Sequence, residues 1–191
     1  MSLLPGKKRA LHQPPRHAFD WYRETRESVE SLFDAVRFDG AIHDPACGLG
    51  RIIEVAHERG YQASGSDIAD YGFGEAGVDF LTDHRPRDSL VFNAPYKDNE
   101  RFIRQGFEVA RYQIAALVRI PFLAGQERYR ELFAITPPNL VLVLSRRPSM
   151  PPGNSDSPAK NDTADYCWLI WPERTRRRCG KYKTTLAWAK P

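Results

Sequence analysis

Residues 41–60 read AIHDPACGLGRIIEVAHERG, and this stretch decides the fold. AIHDPA has the length and pattern of a short strand, and CGLG forms a tight turn. RIIEVAHERG then carries apolar residues at helical spacing as far as Gly60. Strand, glycine turn and helix in that order open a crossover between parallel strands. Gly48 and Gly50 let the backbone fold sharply and approach a ligand closely, at the positive end of the following helix. A dinucleotide-binding turn needs a third glycine where Ile53 stands, which disfavours a nicotinamide cofactor.

Working outward, a helix is expected over 24–37, where Val29, Leu32, Phe33 and Val36 recur at helical spacing. Downstream, YQASGSDI (61–68), VDFL (78–81) and DSLVFNAPY (88–96) read as strands, and ERFIRQGFEVARY (100–112) as an amphipathic helix. QIAALVRIPFL (113–123), LVLVLS (140–145), DYCWLIW (165–171) and TTLAW (184–188) read as further strands. Trp168 and Trp171, with Leu169 between them, are expected to pack in the core. Strands alternating with helices imply an α/β protein with a mostly parallel sheet covered on both faces. The closing strand-loop-strand pattern adds an antiparallel hairpin at one edge. No internal repeat is present. Residues 1–17 are basic and aperiodic and read as a mobile tail, and 18–191 as a single domain. Within it, 149–163 (SMPPGNSDSPAKNDT) is rich in turn formers and reads as a surface loop on the rim of the sheet.

The chain has 191 residues, 41% of them hydrophobic and 27% charged, which are values of a globular protein rather than a disordered one. No apolar run approaches the roughly 20 residues that span a membrane. Only Leu3 and Leu4 precede Pro5, so no signal-peptide core is expected. Cys47, Cys167 and Cys179 lack zinc spacing and point to a reducing cytoplasmic setting. The five histidines show no metal spacing, so no metal is expected. A net charge of +4 permits a nucleic-acid partner without requiring one.

Ligands of an open parallel sheet collect at the carboxyl ends of its strands, where strand order reverses. Asp44 ends the first strand, Asp67 the second, Asp79 lies in the third and Asn93 ends the fourth, so acceptors converge on one rim. Asp67 stands seventeen residues after Gly50, close to the spacing at which an acidic strand end grips ribose hydroxyls. Taken alone, it reads equally as a helix N-cap or a surface aspartate. The string GFGEAG (72–77) also fits a glycine-rich pattern, but it joins strand to strand and reads as a chance match. The tetrapeptide Asn93-Ala94-Pro95-Tyr96 follows the apolar run LVF. Asn93 offers a side-chain acceptor, and Pro95 forces Ala94 into an extended conformation that aims its carbonyl outward. Two such acceptors can hold both hydrogens of an exocyclic amino group and favour a pyramidal nitrogen with an available lone pair. Tyr96 adds an aromatic face on which a base could stack, worth about 1–3 kcal/mol. By itself, an Asn-Pro-type turn ending a strand would also produce this tetrapeptide.

Together, DPACGLG, GSDIAD, VDFL and NAPY resemble the class I S-adenosylmethionine-dependent methyltransferases, specifically the N6-adenine DNA methyltransferases of the gamma motif order. The resemblance covers nearly the whole chain. It extends to LVRIPFL, LSRRPSMPPG and DYCWLIW, which look like small methyltransferases of prophages and bacterial genomes. It implies a Rossmann-like methyltransferase fold with a seven-stranded sheet and S-adenosyl-L-methionine as cofactor. Asp44, Pro45, Ala46, Cys47, Gly48 and Gly50 would hold the methionine portion. Asp67 would bind the ribose and Ile68 would pack on the adenine, while Asp79 would accept from the adenine amino group beside Phe80. FDWYRET (19–25), with Trp21 and Tyr22, looks like the segment that folds over the methionine moiety. Asn93, Ala94, Pro95 and Tyr96 would form the catalytic tetrapeptide. Three positions depart from the family pattern: Ala94 replaces a proline, Thr25 replaces a proline, and Leu49 replaces a small residue.

Arg119, near the rim end of an apolar strand, could meet a phosphate or carboxylate or simply be a paired arginine. Arg146 and Arg147, ahead of the 149–163 loop, are candidates for touching substrate. Arg174, Arg176, Arg177, Arg178, Lys181 and Lys183 form a basic cluster that should leave the sheet away from the rim if DYCWLIW runs antiparallel. The expected activity is methyl transfer to the N6 amino group of adenine in DNA, with a partner chain, weak sequence specificity or a single-stranded substrate replacing a target-recognition domain. The alternatives are RNA adenine, cytosine N4 or protein glutamine as acceptor, or a cofactor-binding module without catalysis.

Overall fold

A computed structural model describes residues 22–150, 164–172 and 184–190. The tail at 1–17, Trp21, residues 151–163 of the expected loop and the basic cluster at 174–183 lie outside the described residues. The first helix, α1, spans Arg26–Ala35; Thr25 caps it, its side chain accepting from the Ser28 N–H at 3.2 Å. β1 (Ile42–Asp44) leads through the glycine turn into α2 (Arg51–Glu58), then β2 (Ala63–Asp67) and β3 (Glu75–Ala76). β4 (Arg87–Phe92), α3 (Asn99–Val109) and β5 (Ala110–Arg119) complete the parallel half. A short helical segment over Gln126–Arg128 and Tyr129–Phe133 precedes β6 (Leu140–Val143), β7 (Tyr166–Trp171) and β8 (Thr185–Trp188).

The strands form one sheet in the order β3-β2-β1-β4-β5-β7-β6-β8. It has eight strands rather than seven, because β8 adds outside β6 and runs parallel to it. β7 pairs antiparallel with both β5 and β6, so the antiparallel strand is interior, with β6 and β8 beyond it. Pro172 therefore leaves β7 on the side opposite the rim. The third strand is also displaced. VDFL is a turn, and Asp79 follows β3 instead of lying within a strand. Phe80 is buried because it inserts against Phe102 (centroids 5.1 Å apart) and Phe92, so the apolar pattern there reflects packing rather than pairing. The 113–123 strand stops at Arg119, where Pro121 lies in a 3₁₀ turn.

The strict period of β5 builds a core on each face of the sheet. Ala115 and Leu117 face α1 and α2, while Ile114, Ala116 and Val118 face α3, all fully buried. Trp168 and Trp171 fall on opposite faces, and their indole N–H groups donate to the Ser28 and Thr136 carbonyls. This satisfies the polar atoms that burial would otherwise strand. His43 on β1 bridges to the Ser64 and Ser66 hydroxyls of β2 at 2.9 and 3.1 Å. Among the described residues, no helix is long and apolar enough to cross a membrane.

Strand order reverses between β1 and β4, which are adjacent and parallel. That adjacency sets Asp44 and Asn93 side by side at the carboxyl rim.

Candidate active site

The turn after β1 is built from backbone donors. Asp44, 1% exposed, accepts from the Ala46 N–H at 3.0 Å. Asp67 accepts from the Gly48 N–H at 3.0 Å and from the Ala69 N–H at 3.1 Å, so it ties the glycine turn to the end of β2. Gly50 caps α2 with φ +83°, and a Cβ there would collide with the Phe73 ring. Phe73 belongs to the GFGEAG string, whose Gly72, Gly74 and Gly77 all take positive φ. The string runs from β2 into β3 and opens no helix, so its match to a dinucleotide-binding pattern is by chance; its place is over the glycine turn. The Cys47 thiol reaches the Phe73 carbonyl at 3.6 Å, and burial, with Asp44 and Asp67 nearby, pushes it up to about 12. A thiol held so firmly protonated is a packing group, not a nucleophile.

A cavity of about 260 Å³ opens beside this turn. Pro45, Ala46, Asp67, Ile68, Asp79 and Phe80 line it together with Asn93 and Pro95, so residues expected to hold cofactor and residues of the tetrapeptide meet in one place. Asp79 shapes its own turn, accepting from the Leu81 N–H at 3.0 Å. Ile68 is 58% exposed, a flat apolar surface at the cavity edge. A second cavity of about 210 Å³, lined by Arg23, Glu24, Cys47, Leu49, Arg51 and Glu54, lies over the other side of the glycine turn.

The tetrapeptide is held by distant parts of the chain. Asn93, 7% exposed, donates from Nδ2 to the Tyr22 carbonyl at 2.8 Å and to Glu24 Oε2 at 3.1 Å. Its Oδ1 is buried and accepts no hydrogen bond. Ala94 is buried among the aromatics of the α3 face. The Tyr96 ring stacks on Tyr22 at 5.2 Å and 14°, and its hydroxyl lies 3.2 Å from that of Tyr166. The Arg119 guanidinium sits 4.3 Å from the Tyr96 centroid and 5.5 Å from that of Tyr22, so it is part of a tyrosine cluster. In this structure Tyr22 stacks on Tyr96, and the Tyr166 ring tilts against it at 6.1 Å.

Burial raises the Asp44 carboxyl well above its ordinary value, with Glu24 and Asp67 adding like-charge repulsion. The Glu24 carboxyl is raised by burial too, against a smaller opposing effect of its bond from Asn93. A region that crowds carboxylates out of water is set up for a cation. Glu24 lies within the FDWYRET segment but was not singled out in the sequence. Only its place before the Thr25 cap could have marked it.

Arg146 and Arg147 follow β6 and line a separate cleft of about 460 Å³ against α1. Arg147 is paired with Asp165 at 2.7 Å. The opposite wall carries Glu27, Glu30 and Asp34, so the cleft is mixed in charge. Among the described residues, no cluster of His, Cys, Asp or Glu could hold a metal ion.

No family model matches the chain, and no curated protein matches it in sequence. Solved structures do match it in fold. A predicted O-methyltransferase from Agrobacterium tumefaciens is 13% identical and aligns over 85% of each chain with a TM-score of 0.56. A candidate RNA methyltransferase from Pyrococcus horikoshii is 12% identical over 77% of this chain and 81% of its own, with a TM-score of 0.55. Magnesium protoporphyrin IX methyltransferase from Synechocystis, solved with bound SAM, is 11% identical over 78% of this chain and 79% of its own, with a TM-score of 0.50. The chain thus has the Rossmann-like fold of these methyltransferases.

Proposed function

We propose that the protein is an S-adenosylmethionine-dependent methyltransferase that modifies an exocyclic amino group, with adenine N6 of DNA as the acceptor. The observation that carries this reading is Asn93 Oδ1, a buried acceptor without a partner on a residue that lines the cavity. A buried carbonyl left unpaired costs about 1–3 kcal/mol, so a donor belongs there. The donor set around it fits the cofactor. Asp44 suits a cationic group, Asp67 suits hydroxyls, and Ile68 and Phe80 offer apolar surface to a ring. The same fold holds SAM in the Synechocystis enzyme. When bound, S-adenosylmethionine supplies a methyl group on a positively charged sulfur.

The residues of the chain do the rest. Asn93 Oδ1 and the Ala94 carbonyl accept the two amino hydrogens, which turns the nitrogen lone pair toward the cavity. Pro95 fixes the direction of the Ala94 carbonyl by restricting its backbone. In a duplex the base must first leave the stack, at a cost of a few kcal/mol. Tyr22 must also give way if the base is to stack on Tyr96.

Labelled methyl transfer from S-adenosylmethionine to unmethylated DNA, followed by digestion to nucleosides, tests the reading. N6-methyladenine should appear, and Asn93→Ala should lower the rate at least a hundredfold with an unchanged circular dichroism spectrum. Unchanged labelling in that variant removes Asn93 from the site. A protein glutamine amide, which offers an NH₂ group of the same geometry, is the second reading. Label recovered in amino acids rather than nucleosides would select it.

A further inference from the structure

Asn93 can serve as an acceptor only if its amide is turned the right way, and an asparagine side chain has two orientations of nearly equal shape. Here the surroundings choose between them. Nδ2 faces the Tyr22 carbonyl at 2.8 Å, which can only accept, and Glu24 Oε2 at 3.1 Å, which accepts as the ionised carboxylate. Turning the amide over would set Oδ1 against a carbonyl and a carboxylate, which is repulsive on both sides. Nδ2 has two N–H groups, and these two contacts use both. Oδ1 is left buried and unpartnered. Tyr22 contributes only a backbone carbonyl, whereas Glu24 contributes a side chain, so Glu24 is the replaceable part of this lock.

We propose that Glu24 is a positioning residue that fixes the Asn93 amide with Oδ1 as the acceptor for the substrate amino group. The proposal rests on the methyltransferase reading of the site. Glu24 stands at the start of α1, ahead of the Thr25 cap, and 69 residues from Asn93 in sequence. It also lines the cavity over the glycine turn, so it touches both halves of the site. Its carboxylate could instead serve only as a negative charge for the cofactor, and the two roles separate by chemistry. Positioning needs an acceptor atom at that point. Charge attraction needs the negative charge.

Glu24→Gln keeps an acceptor oxygen and loses the charge, while Glu24→Ala loses both. The first readout needs no turnover. The side-chain NH₂ signals of Asn93, identified by their absence in Asn93→Ala, are followed by nitrogen-proton NMR. In Glu24→Ala they should shift and exchange with water at least tenfold faster, and in Glu24→Gln they should stay near wild type. Asn93 signals in Glu24→Ala that match wild type would overturn the proposal. The second readout is kcat at saturating S-adenosylmethionine with unmethylated DNA. It should fall at least tenfold in Glu24→Ala and stay within threefold in Glu24→Gln. Equal loss of S-adenosylmethionine affinity in both variants, with kcat unchanged in both, would make Glu24 a charge partner only and overturn positioning. A wild-type protein that neither binds S-adenosylmethionine nor transfers methyl would overturn the functional reading, and the amide signals would still decide whether Glu24 orients Asn93.

Discussion

The glycine turn after β1 and the Asn93–Tyr96 tetrapeptide after β4 lie beside each other at the ends of adjacent strands, yet different contacts hold them. The turn is fixed from within the β1–β3 stretch, by Asp67 and Phe73 as well as by its own residues. Asp44 accepts from Ala46 two residues on, and Gly50 receives its shape from a positive φ and the covering Phe73. The tetrapeptide is fixed from afar, by Tyr22 and Glu24 about seventy residues upstream and by Met150 and Tyr166 downstream. The turn is a cradle built within one stretch of the chain, from β1 to β3. The tetrapeptide is a contact surface that exists only once the N-terminal segment and β7 have come together.

Breaking the cradle should have the largest effect. Gly50→Ala adds a side chain at positive φ against the Phe73 ring, and should lower unfolding stability by about 2–4 kcal/mol in urea titration. Combining it with Phe73→Ala removes the collision, so the pair should cost less than the sum of the singles. Full additivity would mean that Phe73 does not cover the turn. Loosening the tetrapeptide should cost less. Tyr22→Ala removes the ring stacked on Tyr96 and should destabilise by about 1–3 kcal/mol, measured the same way. A larger loss than in Gly50→Ala would reverse the ranking of the two regions.

The pH dependence of stability sharpens how the cradle is joined to β2. Burial first, and the nearby Arg87 second, bring the His43 imidazole down to about 3. The folded ring is therefore neutral while the unfolded chain takes up a proton below its ordinary value near 6.5. Its contribution is complete above pH 6.5 and is lost as the pH falls toward 3. Over that window stability should rise with pH by up to about 1.4 kcal/mol per unit from this group. The raised Asp44 carboxyl acts in the opposite sense, so the difference between wild type and His43→Gln isolates the histidine. A difference that does not change with pH would mean that His43 titrates normally in the fold.

The legible and illegible parts of the molecule divide along the same line. The first strand, the glycine turn and the second helix were readable because turn chemistry and helical period act over a few residues. β5 and β7 were readable because full burial on both faces leaves continuous apolar runs. The third strand was not. Glu75–Ala76 is two exposed residues at the edge of the sheet, with no pattern to betray it, and the apolar VDFL beside it belongs to an aromatic cluster. The last strand was readable as TTLAW, but its place outside β6, parallel to it, was not. Of the site, Asp44, Asp67 and Asn93 could be placed on one rim from strand ends alone, whereas Asp79 reaches the cavity from a turn after β3. Glu24 could not, since nothing in its local sequence distinguishes it from any acid ahead of a helix.

The sequence by itself determined the strand-turn-helix unit, the parallel core and the acceptor types at the strand ends, because these follow from backbone geometry and burial over short spans. Tertiary structure alone decided that GFGEAG covers the glycine turn and that Tyr22 stacks on Tyr96. It alone turned the Asn93 amide with its oxygen unpaired. Those outcomes depend on which distant groups meet, and hydrogen-bond direction is set by the partner, not by the residue that carries the atom.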